Sequence, residues 1–301
     1  MEFFFQQLTN GLAIGGIYAL IALGYTMVYG VLKLINFAHG DLFTMGAYLG
    51  LTVLTSLALH QHLGAFAGVI VLALMVMGLV GTVGILLDQA AYKPLRESPR
   101  LSAVVSALGA SIFFQNAVML IYGARYQYYP KDILPKTVIT IMGLPIPLMR
   151  ILILLTSVLM MVALYLFIQK TKVGTAIRAA AIDQGAARLM GINVNRVIMI
   201  VFFIGPALGG VAGLMVGLYY GQINFTMGWV YGLKAFTAAI MGGIGNIPGA
   251  MVGGILLGVI ESLGAAYLSM AWKDAIAFCV LIAILIVRPT GLLGERVAEK
   301  I

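Results

Sequence analysis

Apolar runs, each close to twenty residues long and separated by short polar breaks, recur from one end of this chain to the other. A helical run of that length matches the ~30 Å hydrocarbon core of a bilayer. Backbone N–H and C=O groups in hydrocarbon need internal partners, so a spanning segment is a helix or part of a closed barrel. The runs here are continuous rather than alternating, which selects helices. Composition agrees: of 301 residues, 62% are hydrophobic and 9% charged, more apolar than a water-soluble domain tolerates. The predicted fold class is all-α, a polytopic membrane helix bundle forming a single domain over 1–301.

The runs lie at about 8–31, 42–59, 64–87, 101–122, 151–169, 197–220, 229–245, 248–268 and 272–288. The 229–245 run contains Lys234, and the breaks near 33–41 and 242–249 have the character of re-entrant segments, so eight or nine crossings are expected. Of the 18 Lys and Arg, twelve fall on the side that carries 88–100 and 170–196, and six on the side of Arg125, Arg150, Lys234 and Lys273. That bias assigns the first side to the cytoplasm, with the N-terminus outside and the C-terminus inside. The opening MEFFFQQLTNGLAIGG has no Lys or Arg ahead of its apolar run, so it reads as a retained first span. The net charge of +8 is explained by the same loop bias, and no basic tract with interleaved aromatics speaks for nucleic acid. The one cysteine, Cys279, is expected to be a small packing residue.

The cytoplasmic insert 170–196, KTKVGTAIRAAAIDQGAARLMGINVNR, is the most polar stretch. On a helical wheel Ala176, Ala179, Ala180, Ile182, Ala186, Ala187, Leu189 and Met190 share a broad face that includes Asp183, with Arg178, Gln184 and Arg188 opposite. Gly191 is placed to stop the helix. The insert is either a solvated connector or a docking surface. The external loop 123–150 holds four prolines and three tyrosines, which exclude a regular helix, and KTVITIMG alternates like a short strand. Its tyrosines suit either a partner or an interfacial aromatic belt.

Gly205, Gly209, Gly213, Gly217 and Gly221 recur every fourth residue and strip one helix face for close packing. Pro206 frees the Phe202 carbonyl and is expected to kink that helix, a feature of packing or of a gate. The breaks NFAHGD and GGIGNIPG interrupt apolar helix in the two halves, a pattern that points to a translocation pathway. The candidates there are Asn36, His39, Asp41 and Asn246, with simple interfacial loops as the competing explanation. Glu261 stands inside an apolar run and joins the pathway candidates, with a hydrogen bond to a neighbouring helix or protonation in place as the competing explanations. His60 and His62 form an H-x-H without further ligands, so no metal site is expected. GGIGNIPG has Pro248 where a dinucleotide fingerprint needs its third glycine. No P-loop, H-E-x-x-H or G-x-S-x-G is present, so no enzymatic activity is expected of this chain.

Residues 18–50, 180–197, 234–269 and the closing IVRPTGLLG (286–294) together resemble the high-affinity branched-chain amino acid ABC transporter permease. The resemblance implies an inner-membrane importer subunit, multi-pass, paired with a homologous second permease. It implies two cytoplasmic ATPases, which hold ATP and Mg while this chain binds no cofactor, and a periplasmic binding protein that delivers leucine, isoleucine or valine. The 180–194 segment corresponds to the coupling helix, with Asp183 at the acid position of the importer pattern and Ala186, Ala187 and Gly191 in its small-residue roles. Ala180 and Arg188 belong to the same coupling set. Asp stands where the pattern has Glu, and Gly185 interrupts the alanines. Permeases for urea and short amides share the NFAHG and GGIG segments, and an ion-driven secondary transporter is the alternative from another class.

Overall fold

The structure is a computed structural model that describes residues 2–57, 65–130, 138–141 and 144–294. Its long helices are α1 (Glu2–Leu32), α2 (His39–Leu57), α3 (Ala65–Leu87), α4 (Arg100–Tyr122), α5 (Leu148–Lys170), α8 (Val194–Tyr220), α9 (Met227–Gly242), α10 (Ile247–Tyr267) and α11 (Lys273–Val287). Two short helices, α6 (Lys172–Ile182) and α7 (Gln184–Leu189), build the insert. A π turn (Asp88–Tyr92) and a 3-10 turn (Lys93–Leu95) follow α3.

Seven of these helices are long and apolar enough to cross a membrane. The two expected spans that fall outside this set, α2 and α9, each adjoin a break. At 16 residues, α9 is only about 24 Å long, short of the hydrocarbon core.

Two helices form the hub. The most apolar stretch of α1 is 89% buried, against 6% for the segment containing α11. Helix α1 packs most extensively on α10, and also on α8, α9 and α5; α8 packs on α2 and α3. The α1–α10 crossing is close because Gly11 and Gly15 face Gly254 and Gly258. A side chain at Gly15 would meet the Ile255 backbone 2.7 Å away.

The glycine stripe of α8 is used along its length. Gly205 faces Gly24 of α1, Gly209 faces the His39 ring, Gly213 faces the Phe43 carbonyl, and Gly217 faces Tyr129. The stripe ends at Gly221, whose φ of +71° closes the helix. Helix α8 runs unbroken through Pro206, and the side-chain-free Gly84 of α3 abuts the Phe202 carbonyl and the proline ring. Helices α3, α4, α5 and α11 turn large apolar residues outward, among them Ile112, Phe113, Leu120, Leu155 and Ile286. Such a surface is stable against lipid. Cys279 is exposed on α11 rather than packed inside.

The external loop contains β2 (Val138–Ile141) paired antiparallel with β3 (Leu144–Pro147), so KTVITIMG does supply a strand. A second pairing joins β1 (Gln127–Tyr128) to β4 (Gln222–Ile223). The loop tyrosines divide: Tyr126 and Tyr128 are exposed, and Tyr129 is buried. The Tyr129 hydroxyl donates to the Ala47 carbonyl at 2.5 Å, and burial pushes its ionisation above the usual phenol range. The loop is thereby anchored to α2. His60 and His62 lie outside the described residues.

Candidate functional site

The first break is a buried polar knot. Lys33 ends α1 in the left-handed region at φ +53°, an uncommon conformation for a side chain of that size. Residues 33–38 then fold back toward the middle of the bundle. Helix α2 therefore starts at His39, beside Ile21 and Gly24, about 12 Å above the end of α1. Non-helical backbone at that depth is tolerated because protein surrounds it. Asn36 Oδ1 accepts from the Ala38 amide at 3.1 Å and from the Tyr92 hydroxyl at 2.8 Å. His39 is fully buried; its Nε2 lies 3.2 Å from the Ile21 carbonyl, so that nitrogen carries the proton and donates. Its ring meets Tyr25 edge-on, centroids 4.7 Å apart.

His39 Nδ1 and Asn36 Nδ2 are buried with no hydrogen-bond partner among the described residues. Asp41 Oδ2 accepts from Ser111 of α4 at 2.5 Å. With Tyr25, Trp229 and Gly232 these two line a cavity of 60 Å³. That volume holds a few waters and is well below the roughly 300 Å³ of small-molecule sites. Asn36, His39 and Asp41 are thus all buried at this break, but of the three Asp41 alone lines the cavity, which is too small for an amino acid in this conformation.

The second break is simpler. Residues 243–246 form a turn with Gly243 and Gly245 at positive φ, and Asn246 caps α10 by accepting from the Gly249 amide at 2.9 Å. The closing segment folds onto this turn. Leu292 and Leu293 amides donate to the Met241 and Gly242 carbonyls, and Asn246 Nδ2 donates to the Leu293 carbonyl at 2.9 Å. The structure does not bring Asn246 to the other candidates; it serves as a cap.

Glu261 is buried and far from alone. Its Oε1 takes Lys234 Nζ at 2.7 Å and Lys273 Nζ at 3.3 Å, and its Oε2 accepts from the Tyr18 hydroxyl at 2.8 Å. Lys234 also lies 2.7 Å from Asp274 Oδ1, a charge contact whose angle falls short of a hydrogen bond. Two acids and two lysines balance, the arrangement a buried charge requires. The sequence held the signal, since Lys234 and Glu261 were opposite charges in neighbouring apolar runs. Tyr18, Ser111 and Tyr92 carried no such signal.

The insert is two helices rather than one. Asp183 ends α6 and caps α7, its Oδ1 accepting from the Gly185 and Ala186 amides at 2.8 and 3.0 Å. The chain turns there, so the single face expected across 176–190 is split. Ala180 and Ala187 are buried against the bundle, whereas Ile182, Leu189 and Met190 are among the most exposed apolar residues of the molecule. Asp183, Ala186 and Arg188 are exposed beside them. Gly191 adopts φ +84° and ends α7 as expected. Gln184 ties the insert to the bundle by donating to the Val31 carbonyl at 2.7 Å. Nearby, buried Asp88 of the π turn accepts two bonds from Arg96, which also reaches Asn195 at 2.6 Å. A groove of 850 Å³ opens between this turn and the insert, its wall including Lys93, Glu97 and Arg188.

A bundle with seven helices long and apolar enough to span a bilayer, and with exposed apolar residues on the insert at one end, has the build of a multi-pass membrane protein. Residues 7–285 match the family described as branched-chain amino acid transport system / permease component. The chain is 44% identical to the high-affinity branched-chain amino acid transport system permease protein BraD of Pseudomonas aeruginosa, covering 99% of this chain and 98% of that one. It is 43% identical to LivH of Escherichia coli, a protein of the same description, at the same coverage. Among solved structures it resembles an inward-facing transporter described as of the metal-chelate ABC type. That match has a TM-score of 0.51 and 16% identity over 94% of this chain and 85% of that chain, a likeness of fold alone. This chain belongs to the branched-chain amino acid permease family; it is a membrane transport component and not a catalytic enzyme.

Proposed function

We propose that this chain is the membrane permease of an ABC importer that carries leucine, isoleucine and valine across the inner membrane into the cytoplasm. The end-to-end similarity to permeases named for that substrate class carries the reading. A secondary transporter is disfavoured by Glu261, which is held by two lysines and a tyrosine rather than poised for an ion. The importer pairs this chain with a homologous permease, two cytoplasmic ATPases that hold ATP and Mg, and a periplasmic binding protein. This chain itself holds no cofactor, the N-terminus lies outside and the C-terminus in the cytoplasm.

The insert docks on an ATPase through Ile182, Leu189 and Met190, with Asp183 and Gly191 setting the shape that presents them and Ala180 and Ala187 seating it on the bundle. ATP binding draws the two ATPases together. The motion passes through Gln184 to the end of α1, and through Asn195, Arg96 and Asp88 to the π turn whose Tyr92 holds Asn36 at the first break. Asn36, His39 and Asp41 line the pathway that opens there, and the smooth α8 face at Gly205, Pro206, Gly209 and Gly213 lets α1 and α2 slide. Proteoliposomes holding the purified assembly, given binding protein and internal ATP, should accumulate leucine and stop on vanadate. The variant Asp183→Arg with Gly191→Leu should lose ATPase co-purification; normal association and uptake in that variant would refute the docking assignment.

A further inference from the structure

A pocket of 390 Å³ opens at the end of the bundle that carries loop 123–150, between the starts of α1 and α5 and the ends of α8 and α10. Its volume lies within the roughly 300–1,000 Å³ of small-molecule sites. Glu261 and Lys273 form part of its wall, but their cluster with Lys234 and Asp274 is already neutral. The surplus charge is Arg150. No carboxylate among the described residues lies within ion-pair distance of it. Its Nε donates to the Tyr219 hydroxyl at 3.3 Å, and Tyr219 in turn donates to Asn10 Oδ1 at 2.7 Å. The guanidinium is thus held from one side, with its two Nη groups unbonded to any described residue. Arg150 also sits in the first turn of α5, where the helix dipole disfavours a cation, so helix stability does not account for it. Ile14, Ala266 and Met270 add apolar side chains to the lining.

The geometry points to this pocket as a resting site for an α-amino acid with an aliphatic side chain. Arg150 takes the carboxylate through its fork, with Lys273 beside it. The oxygens of Asn10 and Gln7 face the ammonium, and Ile14 and Met270 cover the side chain. The assignment rests on the permease reading and deepens it.

The test is equilibrium binding of tritiated leucine to the assembled transporter in nanodiscs, without binding protein. Saturable binding is expected, with competition by valine and none by leucinamide, which lacks the carboxylate. Arg150→Gln should weaken binding about tenfold or more, the scale of one lost charge-assisted pair. Arg150→Lys should recover part of it, because lysine keeps the charge without the fork. Ala266→Trp should abolish it by filling the pocket, and the exposed loop variant Arg125→Gln should bind as wild type. Wild-type binding by Arg150→Gln, or equal competition by leucinamide, overturns the site. Loss of co-purifying lipid phosphate in Arg150→Gln with leucine binding intact also overturns it, and assigns the arginine to a headgroup. If proteoliposomes take up leucine while nanodiscs show no saturable binding, the resting site falls and the permease reading stands. If the wild-type assembly takes up no leucine, the permease reading itself fails.

Discussion

The two helix breaks look alike as strings, each a glycine- and asparagine-containing interruption between apolar runs, and the bundle treats them in opposite ways. At the first, the polar side chains sit at the break and are pulled into the core, where Asn36 and His39 are buried with one nitrogen each unpartnered among the described residues. At the second, the break is a surface turn covered by the closing segment, and the buried charge of that half stands farther along α10 at Glu261. The difference teaches that a break in an apolar run has two possible causes. One is a polar group that must reach the interior; the other is a helix that must stop because its partner's end has come.

Four single variants and one double variant would break or sharpen this contrast, each read as a shift in the unfolding temperature of the detergent-solubilised protein. The largest loss is expected from Glu261→Ala, which leaves Lys234 and Lys273 buried or half-buried without their shared anion, at about 3–5 kcal/mol. Adding Lys234→Met should recover much of it; no recovery would mean that packing rather than charge holds α9 to α10. Asn36→Ala follows, at about 2–3 kcal/mol, because it removes the acceptor of both the Tyr92 hydroxyl and the Ala38 amide.

Asn246→Ala removes only a helix cap and one bond to the closing segment, so about 1 kcal/mol is expected. Equal effects of the two asparagine variants would erase the distinction between the breaks. The smallest change belongs to Asp274→Asn, whose side chain is 49% exposed, at below about 1 kcal/mol.

Much of this was legible in the chain before any fold. Gly191 and the strand at 138–141 could be named because each follows from local backbone chemistry. The glycines of α8 announced a close helix contact, but not that three different elements would use the same stripe. The insert shows where a local rule misleads. Its alanines and apolar residues fall on one wheel face, yet Asp183 prefers to accept two backbone amides, and that local bond ends one helix and starts another. Arg150 passed as one more external cation, since its isolation from every described carboxylate is a property of space and not of spacing.

The sequence alone determined the solvent, the helical class and the approximate length of nearly every element, because a bilayer imposes one length and one hydrogen-bonding solution on any chain that crosses it. It also determined the family, whose signature spreads over the whole length. Which polar groups meet was decided only by tertiary packing. Tyr18 and Glu261 are far apart in the chain, as are Asn36 and Tyr92. A buried charge or amide takes whatever partner the neighbouring helix offers at the same depth, and depth is a coordinate that a linear sequence does not carry.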